Sequence, residues 1–141
     1  MRLLREERFL KTNTVADERK AAVVKVVKER LFEDPAIVFA YVYGSFAEGM
    51  PFRDVDVAIY LKPDDCASAF ESDLSYELGE RVGFPVDIKV INPAPSSVRM
   101  AVIRKGVLLF TRDAVELADF IEDTGRQYMD YAHFRNIYLG A

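Results

Sequence analysis

Three acidic residues and one small-residue pair carry the chemistry that this sequence offers. Asp54-Val55-Asp56 places two carboxylates at i and i+2. On an extended strand such positions point to the same face, roughly 7 Å apart at Cα. Their alternates Val55, Val57, Ile59 and Leu61 are all apolar. Two like charges side by side on a mostly buried strand repel unless a cation neutralises them. Mg²⁺ suits that role, because it takes oxygen ligands and completes its shell with waters and substrate phosphates. Asp87, inside Val86-Asp87-Ile88-Lys89-Val90, lies opposite another apolar alternation. If its strand neighbours that of Asp54 and Asp56, three carboxylates converge. Gly44-Ser45 follows an apolar run directly. A glycine there allows close approach of the backbone to an anion, and free N–H groups at a helix start attract phosphate.

The elements that must position these residues can be read from periodicity. Asp17 to Phe32 is helical, with Val23, Val27 and Leu31 four apart, and Glu33-Asp34-Pro35 ends it. Ala36 to Tyr43 is apolar at successive positions and reads as a fully buried strand. Ser45 is the expected N-cap of a short helix, and Gly49-Met50-Pro51-Phe52 is a turn. Asp54 to Leu61 is a strand, Asp64 to Val82 a helix, and Val86 to Val90 a strand. Ser96 or Ser97 is expected to cap a helix through Lys105. Val107 to Phe110 follows as a strand, and Asp113 to Leu139 as a long helix with an expected break near Gly125. Residues 1–14 form a charged lead-in, where Leu3, Leu4, Phe9 and Leu10 could pack as a short helix. The expectation is an α/β (α+β) fold: one small mixed sheet flanked by helices, a single domain over 1–141 with a C-terminal helical region at 113–139.

Composition narrows the function classes. The 141 residues are 50% hydrophobic and 30% charged, which is ordinary globular composition. With 19 basic and 23 acidic residues the net charge is −4, which weighs against binding to nucleic-acid phosphates. One cysteine, Cys66, and one histidine, His133, leave no zinc cluster and no intramolecular disulfide. No apolar run is long enough to span a membrane, so the expected location is the cytoplasm. The spacing of Arg126 and His133 reads as coincidence, and Lys20, Lys25 and Lys28 as a solvated helix face. The aromatic row Tyr128, Tyr131, Phe134 and Tyr138 reads as a packing face. Arg99, Arg104 and Lys105 are weaker candidates for contacts to phosphate or acceptor.

Taken in order, GSFAEGMPFRDVD and then VDIKV resemble the Gly-Ser, Asp-x-Asp, lone-Asp signature of the nucleotidyltransferase superfamily that includes DNA polymerase beta. NPAPSSVRMAVIRKGVLLFTRD and QYMDYAHFRNIYL are similar to the later segments of the minimal nucleotidyltransferase (MNT) antitoxins. The resemblance covers roughly residues 18–139. It implies the nucleotidyltransferase fold, with ATP phosphates at Gly44 and Ser45. It also implies two Mg²⁺ ions held by Asp54, Asp56 and Asp87, with Asp87 as general base or nucleophile-positioning ligand. Its implied partner is a HEPN ribonuclease toxin that receives AMP on a tyrosine hydroxyl. Only eight residues separate Ser45 from Asp54, and Arg53 stands where the family commonly has Ser. That short loop keeps a second reading open: an MNT-like module that neutralises the toxin by contact alone. Transfer onto a small-molecule acceptor is a third, for which the chain offers little room.

Overall fold

The computed structural model describes residues 12–63 and 67–138. The lead-in residues expected to pack as a helix (Leu3, Leu4, Phe9 and Leu10), Cys66 and the start expected for the third helix at Asp64 lie outside the described residues, while Asn13 forms an antiparallel bridge with Phe52. Helix α1 is Asp17–Phe32, and it buries Val23, Val27 and Leu31 as the spacing of four requires. Strand β1 follows at Ile37–Tyr43, helix α2 at Gly44–Ala47 and strand β2 at Val55–Leu61. Then come helix α3 (Ala67–Val82), strand β3 (Val86–Val90), helix α4 (Ser96–Lys105), strand β4 (Val107–Thr111) and helix α5 (Ala114–Tyr138).

The strands form one mixed sheet in the order β3-β2-β1-β4. β1 runs antiparallel to both β2 and β4, while β2 and β3 are parallel and joined through α3. The central position of β1 explains its unbroken apolar run, because both of its faces are covered. One face of the sheet packs on α1 and α3, through Val27, Leu31, Leu74 and Leu78 against Val57, Ile59 and Ile88. The other carries Phe39, Tyr41 and Ala58 under Val102 of α4 and Phe120 of α5.

Three expected local features differ. Ser45 does not cap α2: that helix begins at Gly44, with Tyr43 in the cap position and no side-chain cap bond. Neither Ser96 nor Ser97 caps α4. Pro95 holds that position, and its carbonyl accepts from Val98 N–H at 3.1 Å, so the turn is closed by backbone. Helix α5 runs through Gly125 without a break. A glycine in a helix weakens it without stopping it, and α5 is anchored at its start by Asp113 Oδ1, which accepts from Val115 and Glu116 N–H at 3.0 Å. Among the described residues, no helix is long and apolar enough to cross a membrane.

Candidate active site

The register of the sheet sets the site. Tyr43 pairs with Asp56 across β1 and β2, and Asp56 pairs with Asp87 across β2 and β3. Neighbouring strands lie about 4.8 Å apart. Tyr43, Asp56 and Asp87 therefore stand in a row on one face, at one end of the sheet. This is the face covered further along by α4 and α5. The alternation in β2 is as expected: Val55, Val57, Ile59 and Leu61 are buried and Asp56 is half-buried. Asp54 precedes the strand by one residue and is exposed.

Gly44 closes the row on the β1 side. Its φ is +76°, a conformation that disfavours other residues. A Cβ built there would overlap the Asp56 carboxylate at Oδ2. The backbone thus approaches the carboxylate as only glycine permits. The chain then turns through α2, where Glu48 N–H donates to the Gly44 carbonyl at 3.1 Å. Ser45 is exposed beside it. Lys20 of α1 donates to the Ala47 carbonyl at 3.1 Å and lies over the Phe46 ring, so it fastens α2 rather than forming part of a free solvated face.

The electrostatics follow from this crowding. Burial, and then the charges of Asp87 and Asp54, push the Asp56 carboxyl from 3.8 up to about 6, with Lys89 working the other way. Tyr43 is pushed up to about 12, by burial first and then by Asp56 and Asp87. Lys89 Nζ stands 3.9 Å from Asp87 Oδ2. Asp54, Asp56 and Asp87 thus lie within electrostatic reach at one end of the sheet. Among the described residues, no three carboxylate, imidazole or thiol side chains are already gathered as a metal cluster. The donor set still fits a hard divalent cation: all-oxygen, like-charged, half-buried, and beside a backbone too close for any side chain.

Sequence reasoning missed Tyr43 and Lys89. The signal for Tyr43 was its place immediately before Gly44. That for Lys89 was its separation of two from Asp87, which puts both on one strand face. Arg99 does not face the carboxylates: it donates to the Asn92 carbonyl and stacks over Phe120 at 5.0 Å. Arg104 lies over Tyr128 at 5.3 Å. Arg126 pairs with Glu122 and Asp123, and His133 is exposed.

A mixed four-stranded sheet flanked by helices in this order is a nucleotidyltransferase fold. The family model "Polymerase beta, Nucleotidyltransferase" matches residues 25–115, more than half of the chain, and the chain belongs to that family. No curated protein matches it. Among solved structures, a mutant of the toxin–antitoxin pair MntA-HpeT is similar at 20% identity and TM-score 0.69, covering 82% of this chain and 93% of that one. A toxin–antitoxin complex with AMP-PNP is similar at 19% identity and TM-score 0.69, covering 82% and 95%. The tri-AMPylated Shewanella oneidensis HEPN toxin in complex with MNT antitoxin contributes a chain similar at 16% identity and TM-score 0.65, covering 83% and 96%. This chain shares the fold of all three.

Proposed function

We propose that this protein is a Mg²⁺-dependent nucleotidyltransferase antitoxin that transfers AMP from ATP to a tyrosine hydroxyl of a HEPN-type partner in the cytoplasm. The observation that carries the reading is Asp56. It is half-buried between Asp87 and the bare backbone of Gly44, and pushed up to about 6 by burial and its acidic neighbours. Such an arrangement is unfavourable in isolation and becomes favourable beside cations and a triphosphate. The resemblance of the fold to chains of HEPN–MNT complexes supports the choice of partner.

Asp54, Asp56 and Asp87 would hold the Mg²⁺, which supplies charge neutralisation and makes an incoming hydroxyl more acidic. The β- and γ-phosphates would lie at Gly44 and Ser45, where the helix start offers backbone N–H groups and the Ser45 side chain is exposed. The acceptor phenol oxygen forms a bond to the α-phosphorus. The bond to the bridging oxygen breaks, its electron pair leaves with pyrophosphate, and the phenol proton passes to Asp87. The net charge of −4 favours a protein acceptor over a polynucleotide.

Transfer of α-labelled AMP from ATP to the purified HEPN partner tests this. The wild type should label the partner on tyrosine, and Asp54→Ala combined with Asp56→Ala should abolish labelling. A wild type that labels nothing, with a double variant that still neutralises the toxin, would establish the contact-only module instead. The short loop of eight residues between Ser45 and Asp54 is the observation that favours this second reading.

A further inference from the structure

Helix α2, Gly44–Ala47, is a single turn. A turn that short fixes its residues for almost no internal hydrogen bonding, so its place in the fold must come from what it touches. The carbonyls of Gly44, Ser45 and Phe46 accept from the N–H groups of Glu48, Met50 and Gly49 at 3.1, 3.0 and 3.3 Å. These bonds close α2 on the turn that follows it, and none of them reaches another element.

Two other contacts anchor α2 to the body of the domain. Phe46 is buried, with its ring edge-on to Phe52 at 4.9 Å. The fourth carbonyl, that of Ala47, accepts from Lys20 Nζ of α1 at 3.1 Å. A lysine suits the carbonyl end of a helix, where it satisfies an orphan acceptor. The same ammonium lies 5.6 Å from the centre of the Phe46 ring, within reach of the attraction between a cation and an aromatic face. One buried ring fixes a point. The second contact, at the end of the helix, fixes its orientation.

Helix α1 packs on the face of the sheet opposite Tyr43, Asp56 and Asp87. Lys20 thus comes to α2 from behind the carboxylates. It contacts Phe46 and Ala47, the second half of α2, while Gly44 and Ser45 form the first half.

We propose that Lys20 is a positioning residue for the nucleotide: its hold on Phe46 and Ala47 orients α2, and so aims the Gly44–Ser45 end at the triphosphate. The inference rests on the transferase reading, which places the β- and γ-phosphates there, and the test separates the two.

Lys20→Met keeps an apolar stem against Phe46 and removes the donor, whereas Lys20→Arg keeps a cation that donates. Binding of AMP-PNP with Mg²⁺ to each protein alone is measured by calorimetry. Amide hydrogen exchange is followed at Glu48 and Met50, whose N–H groups meet the α2 carbonyls. In Lys20→Met the dissociation constant should rise about fivefold, the worth of one hydrogen bond from a charged donor. Exchange at Glu48 and Met50 should quicken while that of the sheet amides holds. Label transfer should show the same rise in KM for ATP at unchanged kcat, and Lys20→Arg should restore binding. An unchanged dissociation constant in Lys20→Met overturns the inference. So does a loss that Lys20→Arg shares in full, or exchange that quickens equally across the sheet. A wild type that binds no nucleotide defeats the transferase reading itself.

Discussion

Two ends of one sheet face are built from the same strands and do opposite things. At one end Phe39 pairs with Tyr60 in register, their rings stack at 4.8 Å, and Phe120 of α5 closes over Phe39 at 5.0 Å. Four residues further along β1, or about 13 Å, Tyr43 pairs with Asp56 and Asp56 with Asp87. The first end is covered and apolar. At the second, two like charges are held in register where neither is fully solvated. The contrast teaches that the strands supply the row of positions, whereas the extent of the helical cover decides which of them become core. The covered end is apolar core, and the other holds the Asp56 carboxyl pushed up by burial and by Asp87 and Asp54, a state that the cation and triphosphate of the proposed function would relieve.

Phe39→Ala should break the covered end. Phe39 is fully buried, and removing such a ring costs about 3–5 kcal/mol. Urea unfolding should show a midpoint displaced accordingly. A shift no larger than that of a surface substitution would erase the distinction between the two ends.

Gly44→Ala acts at the open end. The left-handed backbone alone costs about 1–2 kcal/mol for a residue with a Cβ, and the added methyl displaces the Asp56 carboxylate. The variant should fold with reduced stability and lose label transfer. Full transfer activity would show that the close approach of backbone to carboxylate is not needed.

Asp56→Asn has the smallest effect and the opposite sign. The folded carboxyl holds its proton up to about 6, against 3.8 ordinarily. Its contribution to stability is therefore complete below pH 3.8 and is lost as the pH rises through about 6. At pH 7.5 the ionised group opposes folding. Discounted for its partial exposure, that opposition is about 1 kcal/mol. The asparagine variant, free of the charge, should be more stable than wild type by this amount at pH 7.5, with the difference vanishing toward pH 4. Urea titrations across that range measure it, and a variant less stable at pH 7.5 would sharpen the comparison against us.

Much of this was legible in the residues. Alternation alone placed Asp56 opposite Val55, Val57 and Ile59, and Asp87 opposite Val86, Ile88 and Val90, as found. The fully apolar β1 announced a buried strand, and the sheet order places it centrally. The register was not legible, because alternation fixes the face of each residue and says nothing of which residue lies beside it. Hence Tyr43 as the partner of Asp56 emerged only from the sheet. Ser45 attracted the N-cap assignment because its side chain suits that role, yet the positive φ of Gly44 starts α2 one residue earlier. The sealing of the β3 edge by Glu71 and Ser75, which accept from Val90 and Ile88 N–H, joins residues 19 and 13 apart, and no local pattern encodes it.

The central claim is that the Asp56 carboxyl is held uncomfortably between acidic neighbours until cations and triphosphate arrive. Carbon-detected NMR titration of that carboxyl, with and without Mg²⁺ and a non-hydrolysable ATP analogue, tests it directly. We predict a midpoint at about 6 in the free protein, moving well below the ordinary carboxylate range when both ligands are present. A midpoint at the ordinary value in the free protein, unmoved by Mg²⁺ and nucleotide, would contradict the account.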